Sequence, residues 1–147
     1  MKVKVKVPAT SANLGPGFDV AGLALTLYNT FTFELSEGGL NITGCPTQFC
    51  NEENLTYQAF SQAAQSCGLD FKGVNIHCES QVPYTRGLGS SSTCIVAGIV
   101  GAFAFKDKTD DRQEILELAT KIEGHPDNVA PAIFGGLTVS VMEEEQV

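Results

Sequence analysis

The residues best able to do chemistry are concentrated in Pro83-Tyr84-Thr85-Arg86-Gly87-Leu88-Gly89-Ser90-Ser91-Ser92-Thr93. Two glycines two apart let the backbone take positive φ and come close to a ligand. The hydroxyl residues behind them are of the type that caps a helix. The free N–H groups and the positive dipole end of such a helix favour a phosphate. Arg86 adds a full positive charge, and a serine hydroxyl can join a Mg²⁺ shell. The stretch therefore reads as an anion cradle. It is not a Walker loop, because no Gly-Lys-Ser/Thr follows the glycines. Nor is it the dinucleotide fingerprint, since Ser92 stands where the third glycine belongs. An ordinary capped helix after a tight turn would show much of the same pattern.

Such a cradle needs a strand before it and a helix after it. Gly73 to Glu79 alternates apolar and polar residues, as a half-buried strand does. Cys94 to Phe105 is small and apolar and reads as a buried helix. Its glycines, Gly98 and Gly101, lower helix propensity, so a closely approaching neighbour is the expected compensation. Lys2 to Val7 alternates strictly, valines inward and lysines in solvent. Pro8 to Asp19 holds two prolines and two glycines and predicts irregular backbone. Strands are expected at Leu25–Leu35, at Leu40–Thr43 and at Thr138–Met142. Helical spacing covers Asn54–Cys67, stopped by Gly68, and Asp110–Ile122, with Ile115, Leu118, Ala119 and Ile122 on one face. Glu117 lies nearly opposite that face, four residues from Lys121. Asp127 is placed to cap a short helix behind it, and Asn54 is a good N-cap for the helix it precedes.

The 147 residues make one domain by length, with 43% hydrophobic and 18% charged residues, values of a globular protein. Nine basic residues against 17 acidic ones give a net charge of −8. That balance argues against nucleic acid or an anionic membrane as the main partner. Five cysteines, an odd number without a C-x-x-C pair, read as reduced thiols rather than a disulfide framework. With only two histidines a Cys/His zinc site is not expected. The N-terminus lacks the apolar core of a signal peptide, and the longest apolar run is too short to span a bilayer. A soluble, cytoplasmic protein is the expectation.

Three stretches resemble the GHMP kinases, the small-metabolite kinases of galactose, homoserine, mevalonate and phosphomevalonate. Pro83–Ser92 is similar to their phosphate loop. Pro8-Ala9-Thr10-Ser11-Ala12-Asn13-Leu14-Gly15-Pro16-Gly17-Phe18-Asp19 resembles the first signature of the homoserine kinases within that group. Glu123-Gly124-His125-Pro126-Asp127-Asn128-Val129-Ala130-Pro131-Ala132-Ile133-Phe134-Gly135-Gly136-Leu137 resembles their third. The resemblance implies an α+β fold of the ribosomal-protein-S5-domain-2 type, with helices packed on one mainly antiparallel sheet. It implies transfer of a phosphoryl group from ATP, with Mg²⁺, to the side-chain hydroxyl of L-homoserine. Residues 83–93 and Asn54 would then hold the nucleotide, and Asn13, Asp19 and His125 the amino acid, Asp19 facing its ammonium group. Ser91 (or Ser90) and Glu117 would ligate Mg²⁺, with Glu123 the competing carboxylate. Some relatives place an aspartate base where Asn128 stands. Asparagine cannot take a proton at neutral pH, so Asn128 is expected to orient the hydroxyl.

Family members are roughly twice this length, and their second half is a ferredoxin-like domain that grips the substrate carboxylate. The chain therefore looks like the N-terminal half of such an enzyme, inactive by itself, whose partners are that missing domain and, as an allowed assembly, a second copy. Another kinase of the group, a non-catalytic nucleotide-binding fragment, or an RNA-binding domain of S5-like fold would share the architecture. The acidic balance disfavours the last.

Overall fold

The computed structural model describes residues 1–16, 20–143 and 147. In chain order the elements are β1 (Lys2–Ala12), β2 (Ala21–Ser36), β3 (Leu40–Thr43), a 3₁₀ turn (Thr47–Phe49), α1 (Leu55–Cys67), β4 (Gly73–Ser80), α2 (Ser90–Ala104), α3 (Arg112–Glu123), α4 (Val129–Phe134) and β5 (Leu137–Val139). One sheet has the order β1-β2-β4-β3. Its pairings are antiparallel except β3 with β4, which are parallel. This is the expected α+β arrangement. Among the described residues no helix is long and apolar enough to cross a membrane.

β2 carries the sheet. It pairs with β1 over Gly22–Ala24 and Tyr28–Glu34. Its C-terminal half, from Asn29, also pairs with β4, and its first residues, Ala21 to Leu23, pair with β5. That shared strand brings chain segments far apart in sequence to one place.

Two expectations for this region need correction. The backbone from Pro8 to Ala12 is not irregular but continues β1. Pro8 is tolerated because β1 is an edge strand, and the register shifts between Pro8 and Thr10. β2 likewise begins four residues before Leu25, where β5 supplies a second partner, while β5 ends at Val139.

The helices cover one face of the sheet. Val5, Val7, Phe31, Phe33 and Ile76 point from it into a core completed by Phe60 of α1 and Ile95, Ile99 and Phe103 of α2. Phe33 and Phe60 stack with ring centroids 5.4 Å apart. The glycines of α2 are compensated as expected. A Cβ on Gly98 would lie 2.4 Å from the Thr56 carbonyl oxygen, and one on Gly101 would meet the Phe33 ring at 2.7 Å.

Asn29, 1% exposed in the middle of β2, is a polar hub that the alternation pattern conceals. Its Oδ1 accepts from the backbone N–H groups of Gln81 (2.8 Å) and Val82 (2.9 Å), and its Nδ2 donates to Thr93 Oγ1 at 2.9 Å. It thus fixes both the exit from β4 and the first turn of α2. Asn29→Ala strands the buried Val82 donor and the part-buried Gln81 donor, and a stranded buried donor costs about 1–3 kcal/mol. A loss of about 3 kcal/mol in urea unfolding is expected, and a change below about 1 kcal/mol would refute the role.

Candidate phosphate-binding site

Between β4 and α2 the chain crosses the mouth of a cleft of about 680 Å³. Three alternate residues of the crossing have positive φ: Thr85 (55°), Gly87 (70°) and Gly89 (67°). Left-handed residues alternating with others turn successive N–H groups toward one side, the concavity that binds anions. Positive φ at a β-branched threonine is uncommon, and such conformations gather at ligand sites.

α2 starts at Ser90, four residues earlier than expected, with Gly89 as its N-cap. The hydroxyl residues do not stand at the cap, contrary to expectation: that position is a glycine, and no cap side-chain bond forms there among the described residues. Thr93 Oγ1 instead donates to the Ser90 carbonyl oxygen at 2.7 Å. An uncapped N-terminus beside an alternating left-handed run leaves donors for a phosphate.

The cleft wall brings together Asn13, Asn54, the eight residues Tyr84 to Ser91, and Asn128. Pro83 does not line it. Ser92 and Thr93 are buried behind it, Thr93 engaged by Asn29. Asn54 lines the cleft, yet its Oδ1 accepts from Thr56 N (2.9 Å) and Tyr57 N (3.2 Å) and its Nδ2 donates to the Phe49 carbonyl at 2.9 Å. Its polar atoms are largely occupied as the N-cap of α1. Asn13 reaches the cleft in left-handed conformation, φ 59°. Asp19 lies outside the described residues.

The carboxylate beside the serines is Glu123, not Glu117. Ser91 Oγ donates to Glu123 Oε1 at 3.1 Å, and Ser92 Oγ points to the same oxygen at 3.5 Å. Glu117 accepts instead from Gln113 Nε2 at 3.0 Å and sits in a separate surface recess with Ser66, Lys121 and Met142. The reason is helical geometry. Ile115, Leu116 and Ala119 are buried, which turns Glu117 outward, and six residues further on Glu123 lies ~120° around the axis.

His125 does not line the cleft; its Nδ1 bonds Asp127 Oδ1. Asp127, 1% exposed, is spent on that contact and does not cap α4, whose N-cap position is Asn128. Asn128 Oδ1 accepts from Thr10 Oγ1 at 2.8 Å, which fixes its amide against the cleft. Thr10 was not singled out from sequence. It is fully buried, and its N–H also donates to the Leu88 carbonyl at 3.0 Å, tying β1 to the cradle. Thr10 shares its stretch with a second hydroxyl, Ser11, so the sequence carried no signal that set it apart.

Three thiols, Cys45, Cys78 and Cys94, also face the cleft. Burial, and then neighbouring sulfurs, pushes Cys45 up to about 11 and Cys78 up to about 12. Burial raises Cys94 as well. They are neutral thiols at pH 7.

Residues 54–136 match the model of the GHMP kinases N terminal domain. A homoserine kinase of Clostridium beijerinckii is 51% identical over 145 residues, 98% of this chain but 49% of that protein. Among solved structures, one from Listeria monocytogenes assigned to homoserine kinase superposes with a TM-score of 0.86 at 35% identity, covering 99% of this chain and 52% of that one. Homoserine kinase from Cytophaga hutchinsonii superposes with a TM-score of 0.80 at 29% identity, covering 94% and 48%. The chain spans about half the length of the curated relatives it matches. Its sheet and helices have the ribosomal-protein-S5-domain-2 fold of these enzymes, and with over half its residues inside the matched domain the chain belongs to the GHMP kinase family.

Proposed function

We propose that this chain is the nucleotide-binding half of an enzyme that transfers the γ-phosphoryl group of ATP to the side-chain hydroxyl of L-homoserine. The observation that carries the reading is the alternating left-handed run at Thr85, Gly87 and Gly89 leading into the uncapped start of α2. Phosphoryl transfer asks the protein mainly for positioning and charge neutralisation. The cradle N–H groups and Arg86 serve the β- and γ-phosphates. Ser91 Oγ and the Glu123 carboxylate are adjacent hard oxygen donors of the kind Mg²⁺ takes, so the residues fit that ion. When bound, it neutralises charge building on the phosphate oxygens.

Asn128 is the residue for the attacking hydroxyl. With Oδ1 engaged by Thr10, its Nδ2 hydrogens are the groups left to donate to the hydroxyl oxygen. An amide takes no proton, so Asn128 aims the nucleophile rather than deprotonating it. Asn13 and Asp19 serve the ammonium end of the substrate. His125, held by Asp127 away from the cleft, acts at most on the orientation of the 125–128 turn. The same reading puts the enzyme in the cytoplasm and in threonine biosynthesis.

The second half of the protein would supply the grip on the substrate carboxylate. A misplacement of about 1 Å costs on the order of 100-fold in rate. Residues 1–147 alone should therefore form O-phosphohomoserine at least ~100-fold more slowly than together with the remaining domain. A coupled ADP-release assay with and without that domain reads this out. Equal rates would overturn the division of labour.

A further inference from the structure

One pair of thiols, of which Cys45 lines the cleft, plays no part in the proposed transfer. Cys45 Sγ and Cys50 Sγ lie 3.3 Å apart, joined by Pro46 and the 3₁₀ turn Thr47–Phe49. We propose that Cys45 and Cys50 are a reversible oxidation site, closed to an intrachain disulfide by a hydroperoxide. This goes beyond the kinase reading and does not depend on it.

The geometry selects this pair from the neighbouring thiols. A disulfide needs the sulfurs at about 2.05 Å, so just over ~1 Å of approach is required. Cys50 can supply it. Its thiol is otherwise held only by long contacts of 3.6 Å to the Cys45 and Pro46 carbonyls. Cys78 is also close to Cys45, but it is 6% exposed on β4, a strand paired on both sides. Its backbone cannot follow. Gly44 fixes the other end, because a Cβ there would lie 2.0 Å from the Cys78 carbonyl oxygen. Cys45 is thus anchored while Cys50 sits on a short turn that can tighten.

The chemistry balances with the peroxide alone. One sulfur, as thiolate, attacks a peroxide oxygen; the O–O bond breaks, and the departing hydroxide takes a proton to become water. The other sulfur then attacks the resulting sulfenic acid; the S–S bond forms, the S–O bond breaks, and the hydroxyl leaves with the thiol proton as a second water. Two electrons pass from the sulfurs to the peroxide. The bridge would tighten the turn whose Phe49 carbonyl holds Asn54, so the change reaches the cleft wall.

Hydrogen peroxide treatment, denaturation, alkylation and cleavage after glutamate provide the test. The fragment between Glu37 and Glu52 contains Cys45 and Cys50 and no other cysteine. It should become about 2 Da lighter, lose alkylation at both sulfurs, and regain it after dithiothreitol. Cys50→Ser should leave no bridge within that fragment. A bridge from it to the Cys78 fragment, over-oxidised sulfurs without a bridge, or two sulfurs still fully alkylated would each overturn the proposal.

Discussion

Replacing Gly89 with valine should lower affinity for Mg·ATP by at least about 100-fold in a calorimetric titration, leaving the far-UV circular dichroism unchanged. Two effects add. The backbone there has φ 67°, which costs an L-residue roughly 1–2 kcal/mol and a β-branched one more. In addition, a Cβ would lie 2.2 Å from Thr10 Oγ1 and 3.3 Å from Asn128 Oδ1. Thr10 must then move, and with it both the bond to Asn128 and the strap from β1 to Leu88. The loop would lose its aligned N–H groups, each bond to a charged phosphate being worth about 1.5–3 kcal/mol. Unchanged nucleotide affinity in the variant would remove the cradle from the functional account.

The second large effect separates the two glutamates. In the complete enzyme Glu123→Gln should cut kcat on the order of 100- to 1000-fold, with partial recovery at high Mg²⁺. Glutamine keeps an acceptor for Ser91 and Ser92 but removes the charge, so folding is spared. Glu117→Gln changes an exposed side chain bonded to Gln113 and should leave kcat within about twofold. The reverse ranking would restore Glu117 as the metal ligand and remove Glu123. Unfolding midpoints of both variants, measured alongside, guard against a stability artefact.

How far these residues could be read from sequence depended on the range of the signal. The cradle was legible because its glycines, serines and Arg86 are contiguous. The strand alternation and the helix face carrying Ile115 and Ala119 were legible because periodicity is local. That Glu123 rather than Glu117 lies beside Ser91 and Ser92 was not legible, because it depends on how the end of α3 is placed against the start of α2. The continuation of β1 through Pro8 was hidden, since what permits it is a partner, β2, and an unpaired edge. Asn29 and Thr10 look like minor polar residues in strands. Their importance lies in bonds to positions 64 and 118 residues away. Asp127 reads as a cap until His125 is seen beside it.

The bond between Thr10 and Asn128 also sets an order of events in folding. The two residues are 118 positions apart, and Thr138 bonds Gly22 across a separation of 116. Closures of that span carry a large entropic cost until nearer contacts have shortened them, which makes such topologies slow. The hairpin of β1 and β2 can form early from adjacent segments. The amide that would aim the nucleophile takes its place only after α2, α3 and α4 have docked. During synthesis a ribosome-bound chain would therefore display the cradle's loop before it had a floor, and ligand-binding competence would arrive as a late step, after most of the secondary structure is in place.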